Sequence, residues 1–224
     1  MLKKNVDLVL GQIAASDIVL DIGGWARPFN RANYVIDIMP YETRGIFGSD
    51  GPMKEFFSKD TWILHDISSK KSLPFGNKEI DYVVCSHVLE DIRDPTHLCS
   101  EIIRIGKKGY IEVPSRTMES IMGLEGQHYA GYYHHRWLIE IKGSEIIFRF
   151  KPHLLHSSWK FHFPRSYLKK LSEEERVSYL FWENRFQYKE VIQISRLKVA
   201  HELEEFVRRR RVYPPLFYII DSIK

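Results

Sequence analysis

The chain has 224 residues and a mass of 26.6 kDa, the size of one domain with room for an appended subregion. Lys plus Arg at 33 against Asp plus Glu at 29 leaves a net charge of only +4, which argues against a nucleic-acid partner. The hydrophobic content of 44% suffices for a full core, and no apolar run approaches the roughly 20 residues of a membrane span.

Near the N-terminus, Val6, Val9, Leu10 and Ile13 fall at helical spacing, so this stretch reads as a short amphipathic helix and not a signal peptide. The two cysteines, Cys85 and Cys99, form neither a CxxC pair nor a disulfide framework, which fits a reducing cytoplasm. Five short runs follow: DIVLDI (17–22), YVIDI (34–38), WILHDI (62–67), DYVVCS (81–86) and GYIEVP (109–114). All are apolar, rich in β-branched residues and bounded by Gly, Pro, Asp or Asn. Without polar alternation they read as strands buried on both faces, the mark of a parallel sheet. Between the last two, Asp94 can cap a helix, Pro95 suits its first position, and Gly106 or Gly109 can end it. The order of elements argues for a doubly wound, Rossmann-like α/β domain.

After about residue 115 the pattern changes. Residues 136–151 are two strand-like runs around Lys142-Gly143, as in an antiparallel hairpin. Residues 164–186 read as helical and polar, FQYKEVIQI (186–194) as a last strand, and LKVAHELEEFVRRRR (197–211) as a charged helix. The whole chain is expected to be a single domain, with residues 1–115 as a cofactor-binding half and 116–224 as an elaboration on the substrate side.

In open parallel sheets, ligands bind at the carboxyl ends of the strands. Here those ends are Asp21-Ile22-Gly23-Gly24, Asp37-Ile38, Asp66-Ile67 and Cys85-Ser86-His87. One strand-end Asp by itself is a common cap of a turn; three beside a Gly-Gly turn suit a nucleoside with a cationic tail. Gly23 and Gly24 let backbone approach a ligand, and Asp37 can accept from both ribose hydroxyls. Asp66 can accept from an adenine amino group between Ile38 and Ile67, while Asp21 adds negative potential near a cation. A dinucleotide fits less well, because Trp25 and Arg27 stand where its motif needs further glycines.

The runs VLDIGG (19–24), YVIDI (34–38), ILHDI (63–67) and the block from Leu73 to Pro114 resemble the class I S-adenosylmethionine-dependent methyltransferases, in particular the type 11 pattern. The block's most specific residues are Leu73-Pro74-Phe75, Asp81, His87-Val88-Leu89-Glu90 and Asp94-Pro95. The resemblance covers about residues 15–115. It implies S-adenosylmethionine as cofactor, with Asp21, Gly23 and Gly24 at the methionyl part, Asp37 at the ribose and Asp66 at adenine. Trp25 or Arg27 would then lean over the methionine carboxylate, and Ser86 would close the fourth strand end. The stretch from Gly24 to Asp37, with Pro28 inside it, is too short for a full crossover helix, so one helical turn or an irregular loop is expected.

Methyl transfer is an in-line displacement in which alignment does most of the work. A base is needed only if the acceptor must lose a proton. His87, after the fourth strand, would face the methyl group. His128, His134, His135 and Arg136 follow the fifth strand; they serve as base or substrate contacts, as satisfied loop residues, or as metal ligands, the last on a weak pattern. Our reading takes His87, His134 and His135 as catalytic, with no metal, and a small molecule or a glycan as acceptor. A non-catalytic binding or scaffolding module is the alternative. Arg208–Arg211 read first as cations closing a helix. With the apolar VYPPLFYIID (212–221) they could also make a weak contact with a membrane surface.

Overall fold

The five β-branched runs become β1 (Val19–Ile22), β2 (Tyr34–Asp37), β3 (Trp62–Leu64), β4 (Ile80–Ser86) and β5 (Gly106–Pro114) in a computed structural model that describes residues 1–210. Arg211 and the apolar run 212–221 lie outside the described residues. A sixth strand, β8 (Val177–Glu183), completes a sheet of order β3-β2-β1-β4-β5-β8. The pairs β1–β2, β2–β3, β1–β4 and β4–β5 are all parallel, so the sheet is mostly parallel and Rossmann-like. The chain runs outward through β2 and β3, then crosses to β4 on the other side of β1, which places the topological switch between β1 and β4.

The absence of polar alternation has the expected cause: all four β1 residues are buried. Val19, Val35, Tyr82, Val84 and Tyr110 share one cluster with Val9 of α1 (Lys3–Gln12), joined by Val6, Leu10 and Ile13. Each such side chain contributes about 1.5–3 kcal/mol when fully buried. Asp94 caps α2 (Pro95–Ile105) by accepting from His97 N at 3.0 Å, with Pro95 in the first turn. Gly106 ends this helix with extended backbone, φ −97°, and passes straight into β5. Lys78 Nζ donates to the carbonyls of Ile103 at 2.7 Å and Gly106 at 2.8 Å, satisfying the helix end. Between Gly24 and Asp37 the chain is an irregular loop.

Two compact units divide the chain. One comprises Met1–Val113, Ile141–Ile146 and Tyr179–Lys189; the other Pro114–Glu140, Ile147–Ser178 and the described residues from Glu190. The hairpin around Lys142-Gly143 forms as β6 (Trp137–Lys142) and β7 (Glu145–Phe150), and β9 (Gln187–Glu190) joins it in the order β6-β7-β9. In the second unit, α3 (Arg116–Glu119) is a single turn. In α4 (Arg196–Arg210), Val199, Leu203 and Val207 form one buried stripe at helical spacing. Arg209 pairs with Glu205 at 2.6 Å, while Arg208–Arg210 are exposed at the helix end.

One expectation fails. Residues 164–186 are not helical: short 3-10 turns at Arg165–Lys170 and Glu174–Arg176 precede β8. The reason is packing in the first unit. Phe181 and Tyr179 lie against Tyr110, with centroids 4.9 and 6.2 Å away. Trp182 covers Gly106 and Gly109, where an added Cβ would meet its ring at 2.9 and 3.1 Å.

Candidate cofactor and active site

At the end of β1, Gly23 has φ +76°, and its N–H donates to Ile36 O at 2.8 Å. A Cβ there would overlap Val88 Cγ2; at Gly24 it would overlap Asp21 Oδ2 and lie 2.9 Å from Val35 Cγ1. The protein's own packing therefore already demands both glycines. Asp21 is 3% exposed, and its Oδ2 accepts from Phe29 N at 2.8 Å, pinning the loop that leads to β2. Burial lifts its pKa to about 7; the Phe29 N–H opposes the rise, and Asp37 and Asp50 add to it. Asp21 is thus partly protonated at neutral pH, in place of the fixed negative charge read from the sequence.

Asp37 ends β2 with its carboxylate buried. Oδ2 accepts from Trp25 N at 3.0 Å and Oδ1 from Met39 N at 2.9 Å. Burial raises its pKa despite these donors. Each oxygen keeps a second lone pair, so two hydroxyl donors can still be accommodated. Ile38 beside it is 65% exposed, an apolar platform open to a flat ring. Asp66 lies two residues beyond β3, exposed, its Oδ1 accepting from Ser68 N at 2.8 Å; Ile67 is half-buried. This donor set, a buried acid for a diol, an exposed aliphatic and an exposed acid, fits a nucleoside. The polar groups of Trp25 and Arg27 are engaged elsewhere. The Trp25 indole donates to Thr43 O and Oγ1, both at 2.9 Å, and Arg27 pairs with Asp50 at 3.0 Å.

Across the switch point, Ser86 ends β4 half-buried, its Oγ 3.5 Å from Glu112 Oε1. His87 follows with φ +57°, a backbone region costly for a residue with a Cβ. Its Nε2 lies 3.2 Å from Glu112 Oε1 and its Nδ1 3.3 Å from Glu90 Oε1. Both carboxylates are buried, at 0% and 1% exposure. Glu112 also accepts from the Tyr110 hydroxyl and from Leu2 N at 2.9 and 3.1 Å, and Asn5 Nδ2 donates to Tyr110 at 2.7 Å. Burial acts to lower the His87 pKa, but the hydrogen bonds to Glu112 and Glu90 outweigh it and raise the value to about 9. For Glu112, burial acts upward and is outweighed by His87, Tyr110 and Leu2, which bring it to about 2. The two buried carboxylates, 3.2 and 3.3 Å from its ring nitrogens, thus favour the imidazolium form of His87. Glu90 is brought to His87 by its i, i+3 spacing, and the pairing of β4 with β5 brings Glu112.

The other histidines belong to the second unit. His135 Nδ1 lies 2.7 Å from Glu119 Oε1, and Lys151 Nζ donates to Glu119 Oε2 at 2.7 Å and to Tyr132 O at 2.8 Å. Burial acts to raise the Glu119 pKa, but His135 and Lys151 keep it low. His134 is 44% exposed with Nδ1 3.5 Å from Glu125 Oε2, and its ring meets that of His135 edge-on at 4.5 Å. His128 and Arg136 are exposed.

The methyltransferase domain family, of type 11, matches residues 45–111. No curated protein matches the chain. Among solved structures, an S-adenosylmethionine-dependent methyltransferase from Mesorhizobium loti is similar at 14% identity and TM-score 0.40, over 67% of this chain and 64% of that one. One from Methanosarcina mazei is similar at 14% identity and TM-score 0.39, over 60% and 85%. A Haloferax volcanii complex of the Trm112 methyltransferase activator with a methyltransferase gives 20% identity and TM-score 0.36, over 49% of this chain. The chain spans half the length of that last relative. None of these three reaches a TM-score of 0.5. Over residues 45–111 the chain is similar to the methyltransferase domain family of type 11, and its parallel sheet order and nucleoside-type donor set accord with that likeness.

Proposed function

We propose that the protein transfers a methyl group from S-adenosylmethionine to a small-molecule or glycan acceptor by in-line displacement. The observation that carries this reading is Asp37, whose buried carboxylate ends β2 and is tied through Trp25 N to the glycine turn beside the switch point. When bound, S-adenosylmethionine would supply a sulfonium methyl carbon as electrophile. Asp37 would hold the ribose hydroxyls, Ile38 and Ile67 the faces of adenine, and Asp66 its amino group. Gly23, Gly24 and Ser86 would border the methionyl part, with Asp21 beneath the turn. On this reading His87 serves as a cation at the end of β4 and not as a base, because the buried Glu112 and Glu90 carboxylates beside it raise its pKa. For an acceptor that must lose a proton, the base we propose is His134, half-exposed, or His135, braced by Glu119. On this reading residues 116–224 serve the acceptor.

Calorimetry with S-adenosylmethionine and with its demethylated product tests the cofactor assignment. Asp37→Ala should weaken both by roughly 1–3 kcal/mol, since it removes a charged acceptor; unchanged affinity on folded protein refutes it. A second reading, a non-catalytic binding module, is favoured by one feature: the glycine turn is filled by the protein's own Val88 and Asp21 side chains. Turnover with an acceptor separates the two, because cofactor binding alone is common to both.

A further inference from the structure

Residues 191–198, Val-Ile-Gln-Ile-Ser-Arg-Leu-Lys, lead from β9 into α4 and take no part in the site described above. Three large aliphatic side chains stand almost free here: Ile192 is 78% exposed, Ile194 93% and Leu197 82%. A lone exposed aliphatic needs no explanation, whereas a cluster marks a contact surface. The segment is held in place. Val191 N donates to Phe148 O at 2.8 Å, Gln193 Nε2 donates to Glu202 Oε2 at 2.7 Å, and Val199 N donates to Ser195 O at 3.0 Å. Val199 itself is buried against Leu203. Ile192 and Ile194 are thereby displayed on either side of an anchored Gln193. A hollow of about 160 Å³ lined by Phe150, Pro152, Glu190 and Val191 opens beside Ile192.

Charge accompanies the aliphatic tips. Arg196 and Lys198 flank Leu197, both exposed, and neither has an acidic partner within 4 Å among the described residues. Glu190 is the one acid in the exposed stretch running from 190 to 198. We infer that this segment seats the protein on an anionic lipid surface. Ile192, Ile194 and Leu197 enter the acyl boundary, and Arg196 and Lys198 meet the lipid phosphates. Three protruding tips suit a deformable partner; a stable protein interface needs on the order of 1,000 Å² of shaped contact. A second copy seated on the same patch across a two-fold axis would bring the Arg196 and Lys198 cations of both copies into one interface, which disfavours self-association.

Co-sedimentation of the full chain with vesicles tests this. Phosphatidylcholine vesicles containing phosphatidylserine should retain the protein at low salt, and pure phosphatidylcholine vesicles should not. Ile194→Ser with Leu197→Ser should cut binding on the order of tenfold or more, from the transfer energy lost by two aliphatic side chains. Arg196→Gln with Lys198→Gln should cut it by a similar factor and remove its salt dependence. Circular dichroism establishes that each variant is folded, and exposed sites of this kind leave the core intact. Failure of the parent protein to bind anionic vesicles overturns the inference, as does equal binding by the aliphatic variant. A concentration-dependent dimer abolished by Leu197→Ser would assign the patch to a second copy instead and equally overturn it. None of these outcomes depends on methyl transfer.

Discussion

Raising the pH from 6 to 9.5 strips from His87 a proton that the folded protein holds far more tightly than the unfolded chain. The pKa rises from an ordinary 6.5 to about 9 in the fold. That rise of about 2.5 units corresponds to about 3.4 kcal/mol at 1.36 kcal/mol per unit. The His87 side chain is 46% exposed, so solvent screening reduces the expected contribution to about 1–2 kcal/mol. The sign follows from linkage. A raised folded pKa gives stability that is complete below about 6.5 and lost as pH climbs towards 9. Glu112, lowered from 4.5 to about 2, gives stability that is complete above about 4.5 and lost as pH falls towards 2. The pair is therefore most favourable between about 4.5 and 6.5. The assay is urea unfolding followed by tryptophan fluorescence at intervals from pH 6 to 9.5, on the parent and on His87→Asn. Asn is the right substitution because it tolerates the left-handed backbone at this position better than other residues with a side chain. The parent should lose about 1–2 kcal/mol more than the variant over this range. Parallel profiles would refute the account of His87 as a clamped imidazolium.

Gly24→Ala should destabilise the protein by about 1–3 kcal/mol with no ligand present, because the new Cβ overlaps Asp21 Oδ2 and crowds Val35; thermal melting of the variant alone checks it, and an unchanged melting temperature would return the turn to a purely ligand-imposed role. In the second unit, Glu119→Gln should cost about 3–5 kcal/mol, since it leaves Lys151, 5% exposed, without its counter-charge. Denaturant titration reads this loss, and a change under about 1 kcal/mol would mean that Tyr132 O alone satisfies the lysine.

Local chemistry made much of this protein legible. The β-branched runs became β1 to β5 because residues buried on both faces must be apolar at every position, and that shows directly in sequence. Asp94 and Pro95 marked the start of α2 because a cap needs only residues three apart. The strand-end acids Asp21 and Asp37 were visible for the same reason, but their partners were not. Asp21 serves Phe29 N and the fit of Gly24, and Gly23 is required by Val88, 65 residues further along the chain. The strand β8 was misread as helix because its own residues are mixed; what makes it a strand is the groove left by Gly106 and Gly109, into which Trp182 packs. His87 could be named from its place after β4, yet its charge could not. Register decides that: Ser86 lies opposite Glu112, and His87 N donates to Glu112 O at 2.8 Å, so a carboxylate from the next strand reaches the imidazole. A side chain's identity is local, but its protonation state depends on the field of groups brought near by folding, and only the tertiary structure sets that field.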